Sequence, residues 1–358
     1  MHGLDDRELA PSTVAVSAGR PKRTPDAPLN APITMASAFI PGGNSSYGRH
    51  GNPTFNAFET VLGKLEGGRT LAFASGMAAT TAVLELVPLG GIVVAPQTAY
   101  NGTLTQLADR ARRKTIELRL VDIANSGEVI DASKGAALVW IESPTNPSLE
   151  LADIKTISKV ASASGAAIAV DNTFATPLRQ KPLDLGADMV VHSATKLLSG
   201  HSDVILGAVL TNDDHLFNAL AKQRESLGSI PGALEIWLAT RGIRTLHVRL
   251  DRAEANAREI HARLSKTRGI VNPRYPGFGT IVSFEVKAGA DIAQKITESS
   301  ELITFTTSLG GVESTWERRR RIETEPTTVP ESLIRLSVGI EDVDDLWDDI
   351  VFALKVAR

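Results

Sequence analysis

The sequence contains no cysteine among its 358 residues. Disulfide bonds, thiolate metal ligands and a cysteine nucleophile are therefore excluded, and no other metal site is predicted. No apolar run is long enough to cross a bilayer, and residues 1–22 are polar and charged, so the sequence predicts a soluble, cytoplasmic protein without a membrane partner. The formal net charge of -3 provides no basic surface for nucleic acid.

Short apolar strands alternate with helical stretches along the chain. Strands are predicted at 71–74, 92–95, 117–121, 137–141, 168–170, 189–191 and 208–210. This alternation is typical of an α/β fold with a mostly parallel sheet. We predict an N-terminal arm over 1–48, an α/β domain over 49–236 and a smaller α+β domain over 237–358, which begins with a long helical stretch over 241–268. Thr54 is the expected N-cap of a helix that follows it.

An acidic residue and a lysine lie close to the ends of two of these strands. Asp171 ends one strand, and Lys196 follows it among small hydroxyl residues that include Ser193 and Thr195. A partly buried lysine loses its proton readily and can form a Schiff base, and a carboxylate facing a pyridine nitrogen keeps that nitrogen protonated. Ser193 and Thr195 are short donors within reach of a phosphate. Alone, these residues also fit a surface lysine on a polar turn. Together they predict a pyridoxal phosphate site.

Longer motifs surround Asp171 and Lys196. His192–Lys196 is followed by Gly200–Asp203 and Gly207, and Asp171–Thr173 precedes it. Here the chain resembles the Cys/Met-metabolism, or trans-sulfuration, family of pyridoxal phosphate enzymes, over about residues 47–342. The family includes cystathionine γ-synthase, cystathionine γ- and β-lyases, methionine γ-lyase and acylhomoserine sulfhydrylases. The resemblance implies an aspartate aminotransferase-like fold (fold type I), a sulfur-containing amino acid as substrate, and a homotetramer made of two active dimers.

The same resemblance assigns further residues to the cofactor. Gly76 and Met77, where a strand turns into a helix, match the family's phosphate-binding turn. Tyr47 and Arg49 match residues that reach the phosphate of the neighbouring subunit, which requires at least a dimer. Tyr100 matches the catalytic tyrosine that stacks on the pyridine ring, and its phenol takes part in proton transfer if a cationic neighbour lowers its pKa.

Three residues are assigned to the substrate. Arg335 lies in an alternating apolar strand, and an arginine fork binds an α-carboxylate through two parallel hydrogen bonds. Ser308 is expected at the same carboxylate. Asn146 matches the family asparagine near the 3-hydroxyl of the cofactor and is expected to contact both cofactor and substrate. Glu142, at the end of another strand, is interpreted as a packed loop carboxylate outside the catalytic set, which comprises Lys196, Tyr100 and Asp171.

The segment between the two substrate motifs departs from the family pattern. Thr307 stands where many members have a glutamate that helps to recognise a distal amino group. The run 315–325, with Arg318–Arg321 at its centre, replaces a segment that contains histidine and methionine-threonine in many members. Its charges are nearly balanced, so it is interpreted as a solvated face, with lining of the substrate entrance as the alternative. Some cystathionine lyases have a similar arginine-rich segment, which favours a lyase.

The family chemistry leaves several activities open, because γ-elimination, β-elimination and γ-replacement use the same residues. Gly102 stands where methionine γ-lyases have a cysteine, which argues against methionine as substrate. The leading prediction is cleavage of L-cystathionine by γ-elimination. Cystathionine γ-synthase, acylhomoserine sulfhydrylase and cystathionine β-lyase are the alternatives. A non-catalytic scaffold that binds pyridoxal phosphate is a further alternative, against which the catalytic set and Arg335 argue together.

Overall fold

A computed structural model of the chain describes residues 9–43 and 46–357, so the predicted arm lies partly outside the described residues. Its first sheet has seven strands. They are β1 (Arg69–Phe73), β2 (Gly91–Pro96), β3 (Ile116–Val121), β4 (Leu138–Glu142), β5 (Ala167–Asp171), β6 (Met189–Ser193) and β7 (Gly207–Thr211). Every strand predicted from the hydrophobic pattern is present, with bounds that differ by at most two residues.

The spatial order of the first sheet is β1-β7-β6-β5-β4-β2-β3. Neighbours from β6 to β3 pair in parallel, and only β7 runs against its two neighbours. The predicted α/β fold with a mostly parallel sheet is therefore confirmed. Because the carboxyl ends of parallel strands meet at one edge, Glu142, Asp171 and Ser193 lie side by side there.

Helices cover both faces of this sheet. Helices α1 (Pro11–Ser17), α2 (Pro53–Glu66), α3 (Gly76–Leu84), α4 (Asn101–Arg112), α5 (Ser126–Ala132), α6 (Ile154–Ala163), α7 (Asp214–Ser226) and α8 (Ala233–Ile243) belong to these two layers. They are followed in the chain by α9 (Leu246–Leu264), α10 (Ala290–Ser299) and α11 (Val343–Val356). Side chains alternate along each strand. In β5, Ala169 packs on the face covered by α3. In β6, Val190 packs on the opposite face, which is covered by α2.

The second sheet has five strands. They are β8 (Ile270–Arg274), β9 (Ile281–Val286), β10 (Thr304–Phe305), β11 (Thr315–Arg318) and β12 (Leu333–Ser337), in the spatial order β10-β11-β12-β9-β8. Only β10 and β11 pair in parallel. The α9, α10 and α11 helices bury their apolar faces on this sheet. The smaller C-terminal α+β region is thereby confirmed, whereas the domain boundaries stay predictions, and α8 runs across the one at 236.

Two local expectations were wrong. The N-cap of α2 is Asn52, whose Oδ1 accepts the backbone N–H of Thr54 at 2.9 Å, because Pro53 occupies the first helical position and has no N–H. The Thr54 hydroxyl instead accepts the N–H of Thr34 at 2.8 Å. The helical stretch 241–268 is not continuous, since α8 ends before α9 begins at Leu246.

A membrane-spanning helix needs both length and an apolar surface, and none of the helices in the described residues has both.

Candidate active site

A cavity of about 250 Å³ lies between the two sheets, at the carboxyl edge of the larger one. One wall comes from the larger sheet and its loops, and includes Tyr100, Asp171 and Lys196. We call it the cofactor wall. The opposite wall comes from the smaller sheet and the loop before β11, and includes Ser308 and Arg335. We call it the substrate wall. The structure thus brings together residues predicted from motifs far apart in the sequence.

Lys196 lies where the two walls meet. Its Nζ donates a hydrogen bond to the Oγ of Ser308 at 3.1 Å. Burial lowers the pKa of Lys196 to about 8, and the guanidinium groups of Arg335 and Arg319 act in the same direction, against the opposing effect of Glu317. A lysine with this pKa has an appreciable fraction of free amine near neutral pH, as a nucleophile or a base requires.

Asp171 faces the cavity from the end of β5. Its Oδ1 accepts the backbone N–H of Thr173 at 3.0 Å, and the Thr173 hydroxyl in turn accepts the N–H of Ser193 at 2.8 Å. Burial raises the pKa of Asp171, while the hydrogen bonds from Thr173 act to lower it. The carboxylate is thus fixed to the neighbouring strand end, and a cation placed beside it would favour its ionised form.

The N-terminus of α3 forms a cradle of N–H groups beside Ser193. Ser75 caps the helix by accepting the N–H of Ala78 at 3.0 Å. The first N–H groups of a helix have no partner within it, so those of Gly76 and Met77 are directed out of the helix end, in the lining of the cavity. A Cβ on Gly76 would lie 2.7 Å from the Cβ and Oγ of Ser193, so only glycine permits this close approach.

Arg335 is the buried cation of the substrate wall, with 3% of its surface exposed. One Nη donates to the Oδ1 of Asn146 at 2.9 Å, and the other donates to the carbonyl of Ser308 at 2.9 Å and to Glu317 at 2.7 Å. These three bonds leave two of the five guanidinium N–H donors free, and the Nε has no partner among the described residues. Burial, followed by the charge of Arg319, lowers the pKa of Arg335 to about 9, so it remains a cation at neutral pH.

A network of buried ion pairs supports Arg335. Glu317 is fully buried and binds three guanidinium groups, those of Arg319 at 2.5 Å, Arg321 at 2.7 Å and Arg335 at 2.7 Å. Glu325, also buried, binds the other side of Arg319. Burial acts to raise the pKa of Glu317, but the charges of Arg335 and Arg319 outweigh it and lower the pKa overall.

The interpretation of run 315–325 as a solvated face was therefore wrong for half of it. Arg319 is 2% exposed and lines the cavity. Arg321, Glu323 and Thr324 are exposed as expected, whereas Arg318 and Arg320 are half-buried and pair with Glu331, whose side chain is 62% exposed. The sequence signal for the buried residues is that Glu317, Arg319 and Glu325 lie close together in the chain, in or next to a short strand. It could be used only if the partner of each charge were already known.

Comparison with known proteins agrees with this geometry. The family model described as "Cys/Met metabolism PLP-dependent enzyme" matches residues 12–355. The chain is 37% identical to a cystathionine gamma-lyase of Dictyostelium discoideum, over 90% of this chain and 92% of that protein. It is also 37% identical to a cystathionine gamma-synthase of Mycobacterium bovis, over 96% of each. The chain belongs to the Cys/Met-metabolism family of pyridoxal phosphate-dependent enzymes.

A solved structure of a family member has the same fold. The cystathionine gamma-lyase from Lactobacillus plantarum, crystallised with L-serine, matches 97% of this chain and 99% of its own, with a TM-score of 0.93 and 33% identity. Membership makes pyridoxal phosphate the cofactor, and the cavity fits it. The chain offers a deprotonable amine at Lys196, a carboxylate at Asp171 and a cradle at Gly76 that a Cβ would fill.

Two predicted cofactor residues lie away from the cavity. Tyr47 and Arg49 line a separate groove near α2, where the Arg49 guanidinium lies 4.5 Å from the centre of the Tyr47 ring. Tyr47 is 39% exposed.

Thr195, also predicted to bind the phosphate, does line the cavity. Its hydroxyl donates to the carbonyl of Leu206 at 3.1 Å and accepts the N–H of the same residue at 2.9 Å. A phosphate contact would require Thr195 to exchange that donor bond.

The loop that carries Tyr100 is held by Glu142. Both carboxylate oxygens of Glu142 accept the N–H of Tyr100, at 3.0 and 3.1 Å, and one accepts the N–H of Asn146 at 2.6 Å. Burial and then the charge of Asp171 raise the pKa of Glu142 well above its ordinary value. Glu142 is thus a packed loop carboxylate, as expected, but it also lines the cavity and organises two predicted site residues.

The pKa of the Tyr100 phenol is raised overall. Burial raises it, and the nearby charge of Arg319 reduces this shift without reversing it. The Tyr100 phenol is therefore protonated at neutral pH. The ring position depends on Gly102, because a Cβ there would lie 2.6 Å from the ring Cε1 and 3.0 Å from the Sδ of Met77.

Proposed function

We propose that this enzyme cleaves L-cystathionine by γ-elimination, giving cysteine, 2-oxobutyrate and ammonia. The observation that carries the proposal is the position of Lys196, a lysine with a pKa of about 8 between Asp171 on one wall and the Arg335 fork on the other. A base set between the carboxylate that would support the cofactor and the arginine that would clamp the substrate carboxylate suits proton removal from the α-carbon of an amino acid.

The cofactor wall would hold pyridoxal phosphate through its own polar groups. The N–H groups of Gly76 and Met77, together with Ser193 and Thr195, would bind the phosphate. Asp171 would keep the proton on the pyridine nitrogen. When bound, the cofactor supplies an electron sink for negative charge that develops at the substrate α-carbon.

The substrate wall would orient the amino acid for reaction. Arg335, Asn146 and Ser308 would bind the α-carboxylate, and the two free guanidinium donors of Arg335 match its two oxygens in number. The Nζ of Lys196 would take the α-proton, and a second proton shift moved by the same amine would make the protons on the β-carbon acidic enough to be removed. The protonated phenol of Tyr100 would donate its proton to the departing γ-sulfur.

Thr307 and the arginine-rich segment support the choice of a lyase. Thr307 lines the cavity where many family members have a glutamate. Its hydroxyl donates to Glu317, and Arg319 and Arg321 bind the same carboxylate. Three guanidinium groups, those of Arg319, Arg321 and Arg335, face two buried carboxylates in this network, which leaves one positive charge to attract a carboxylate of cystathionine.

A second function is favoured by one observation. The Mycobacterium bovis cystathionine gamma-synthase covers 96% of this chain at 37% identity, the same identity as the Dictyostelium discoideum cystathionine gamma-lyase. Gamma-replacement would use the same Lys196 proton transfers, followed by addition of a thiol to the substrate. Stopping one proton transfer earlier would give β-elimination.

Incubation with L-cystathionine separates these activities. The protein loaded with pyridoxal phosphate is mixed with L-cystathionine, and the products are identified by mass spectrometry. We expect cysteine with 2-oxobutyrate. Homocysteine with pyruvate would reassign the enzyme to β-elimination. No cleavage, together with cystathionine formed from an acylhomoserine and cysteine, would reassign it to γ-replacement.

We also propose a cytoplasmic homotetramer in which residues 1–48 form an arm that contacts the neighbouring subunit. Tyr47 and Arg49 would then complete the phosphate site of that subunit. The support is their position outside the cavity and the exposed apolar side chains of this region, Leu29, Met35 and Ile40. A fully active monomer on a sizing column would contradict this arrangement.

A further inference from the structure

A polar network lies behind the cofactor wall. The Oε1 of Glu66, the last residue of α2, is 2.6 Å from the Nε2 of His192 and accepts the side-chain N–H of Asn172 at 2.7 Å. The Asn172 amide donates to the carbonyl of Gln180 at 2.8 Å and accepts from the Gln180 side chain at 2.9 Å. Gln180 also donates to the carbonyl of Ser143 at 2.9 Å. We call these five residues the rear network.

The rear network joins three strand ends from the face opposite the cavity. Neighbouring side chains alternate between faces. Asp171 and Ser193 line the cavity, so Asn172 and His192, each next to one of them, face the layer that contains α2. Ser143 likewise follows Glu142. The network therefore holds the carboxyl ends of β4, β5 and β6, which are adjacent in the sheet and carry the cavity residues.

Stability alone does not explain this arrangement. Glu66 and His192 are fully buried, and the Glu66 Oε2 and His192 Nδ1 have no partner among the described residues. A buried carboxylate is costly to desolvate, and an apolar pair of similar size would avoid that cost. What directional hydrogen bonds provide, and apolar contacts do not, is a fixed position for the groups they bind.

We propose that Glu66 is a positioning residue for the cofactor site. Through Asn172 and His192, it fixes Asp171 and Ser193 relative to one another and thereby raises the affinity for pyridoxal phosphate. This inference rests on the proposed contacts of Asp171 and Ser193 with the cofactor. Groups that orient the ligands of a metal typically change its affinity by about 10- to 100-fold, and the same logic applies to a cofactor held by rigid strand ends.

The test is a titration of the cofactor-free protein with pyridoxal phosphate, followed by tryptophan fluorescence. Glu66→Leu fills the same space but removes the acceptor, and it is expected to raise the dissociation constant at least about tenfold. Glu66→Gln keeps an acceptor for Asn172 and is expected to restore the affinity to within about threefold of the unmodified protein. Such rescue would not follow from a purely structural role of the charge.

Glu59 provides a matched control in the same helix. It pairs with Arg224 at 3.0 Å and accepts the N–H of Ala72 at 3.0 Å, and none of these three residues lines the cavity. Glu59→Leu is expected to lower the melting temperature and leave the dissociation constant unchanged. An equal loss of cofactor affinity in Glu59→Leu and Glu66→Leu would overturn the inference, as would a folded Glu66→Leu protein with unaltered affinity.

If Glu66→Leu does not fold, the milder variant Gln180→Ala tests the same inference. Gln180→Ala removes the two bonds that the Gln180 side chain donates, to Asn172 and to Ser143. The dissociation constant is expected to rise roughly two- to tenfold, as for loss of one or two hydrogen bonds. An unchanged constant would reject the role of the rear network. If the unmodified protein itself binds no pyridoxal phosphate, the proposed function fails instead.

Discussion

The two walls of the cavity are built by different means. Asp171 and Ser193 on the cofactor wall stand at the ends of neighbouring parallel strands, so backbone pairing sets their approximate positions, which the proposed rear network then holds. On the substrate wall, Arg335 is fixed by a buried carboxylate, Glu317, which also binds two other guanidinium groups. Sheet topology therefore positions the first wall, and charge pairing positions the second.

This difference predicts that changes on the two walls have different consequences. A substitution on the cofactor wall removes chemistry and leaves the fold intact, because the strands hold their ends without that side chain. A substitution in the ion-pair network of the substrate wall leaves buried charges unpaired, so it destabilises the protein as well.

The largest effect is expected from Lys196→Ala. Loss of the base that carries the protons is expected to lower kcat at least about 10⁴-fold, with little change in melting temperature. Steady-state kinetics and thermal unfolding measure the two quantities. Lys134→Ala is the control, because the Lys134 side chain is 72% exposed and pairs with Asp131, and neither residue lines the cavity. Turnover by the Lys196 variant within tenfold of the unmodified enzyme would contradict the mechanism.

Glu317→Gln is expected to act mainly on stability. It leaves Arg319, Arg321 and Arg335 close together with one fewer buried carboxylate, which should lower the free energy of unfolding by about 3–5 kcal/mol. Glu331→Gln, on the exposed side of the same arginine run, should cost less than about 1 kcal/mol. Urea unfolding of both variants provides the comparison. Equal losses of unfolding free energy in the two variants would mean that Glu317 is no more buried than Glu331.

A smaller, graded effect is expected from pH. With a pKa of about 8, Lys196 is mostly protonated below pH 8 and mostly a free amine above it. Capture of pyridoxal phosphate by the cofactor-free protein should therefore accelerate roughly tenfold from pH 6 to pH 7 and level off above about pH 8. Stopped-flow absorbance measures the rate. A rate that continues to rise through pH 10 would indicate a lysine with its ordinary pKa, and hence no burial in the cavity.

The difference between the two walls also explains which parts of the fold and the site could be predicted from the sequence. All seven strands of the larger sheet and the residues at its edge were predictable, since a parallel sheet places short motifs together wherever they end strands. Membership of the family, and with it the cofactor, followed from the same motifs.

The substrate wall was harder to predict for a physical reason. A run of alternating charges has the same composition whether water or other charges surround it, and Arg319 is buried only because Glu317 and Glu325 bind it from two sides. The net shift of the Tyr100 pKa could not be predicted from the sequence either. A cation does lie near the phenol, but the degree of burial, which decides the sign, is a property of the folded chain.

In the proposed enzyme, Lys196 holds the cofactor where the two walls meet. Reduction of the protein loaded with pyridoxal phosphate by borohydride, followed by digestion and mass spectrometry of the peptides, identifies the residue that binds it. We expect Lys196 to be the one lysine that carries the pyridoxyl label. A label on another lysine, or no covalent label at all, would contradict this assignment.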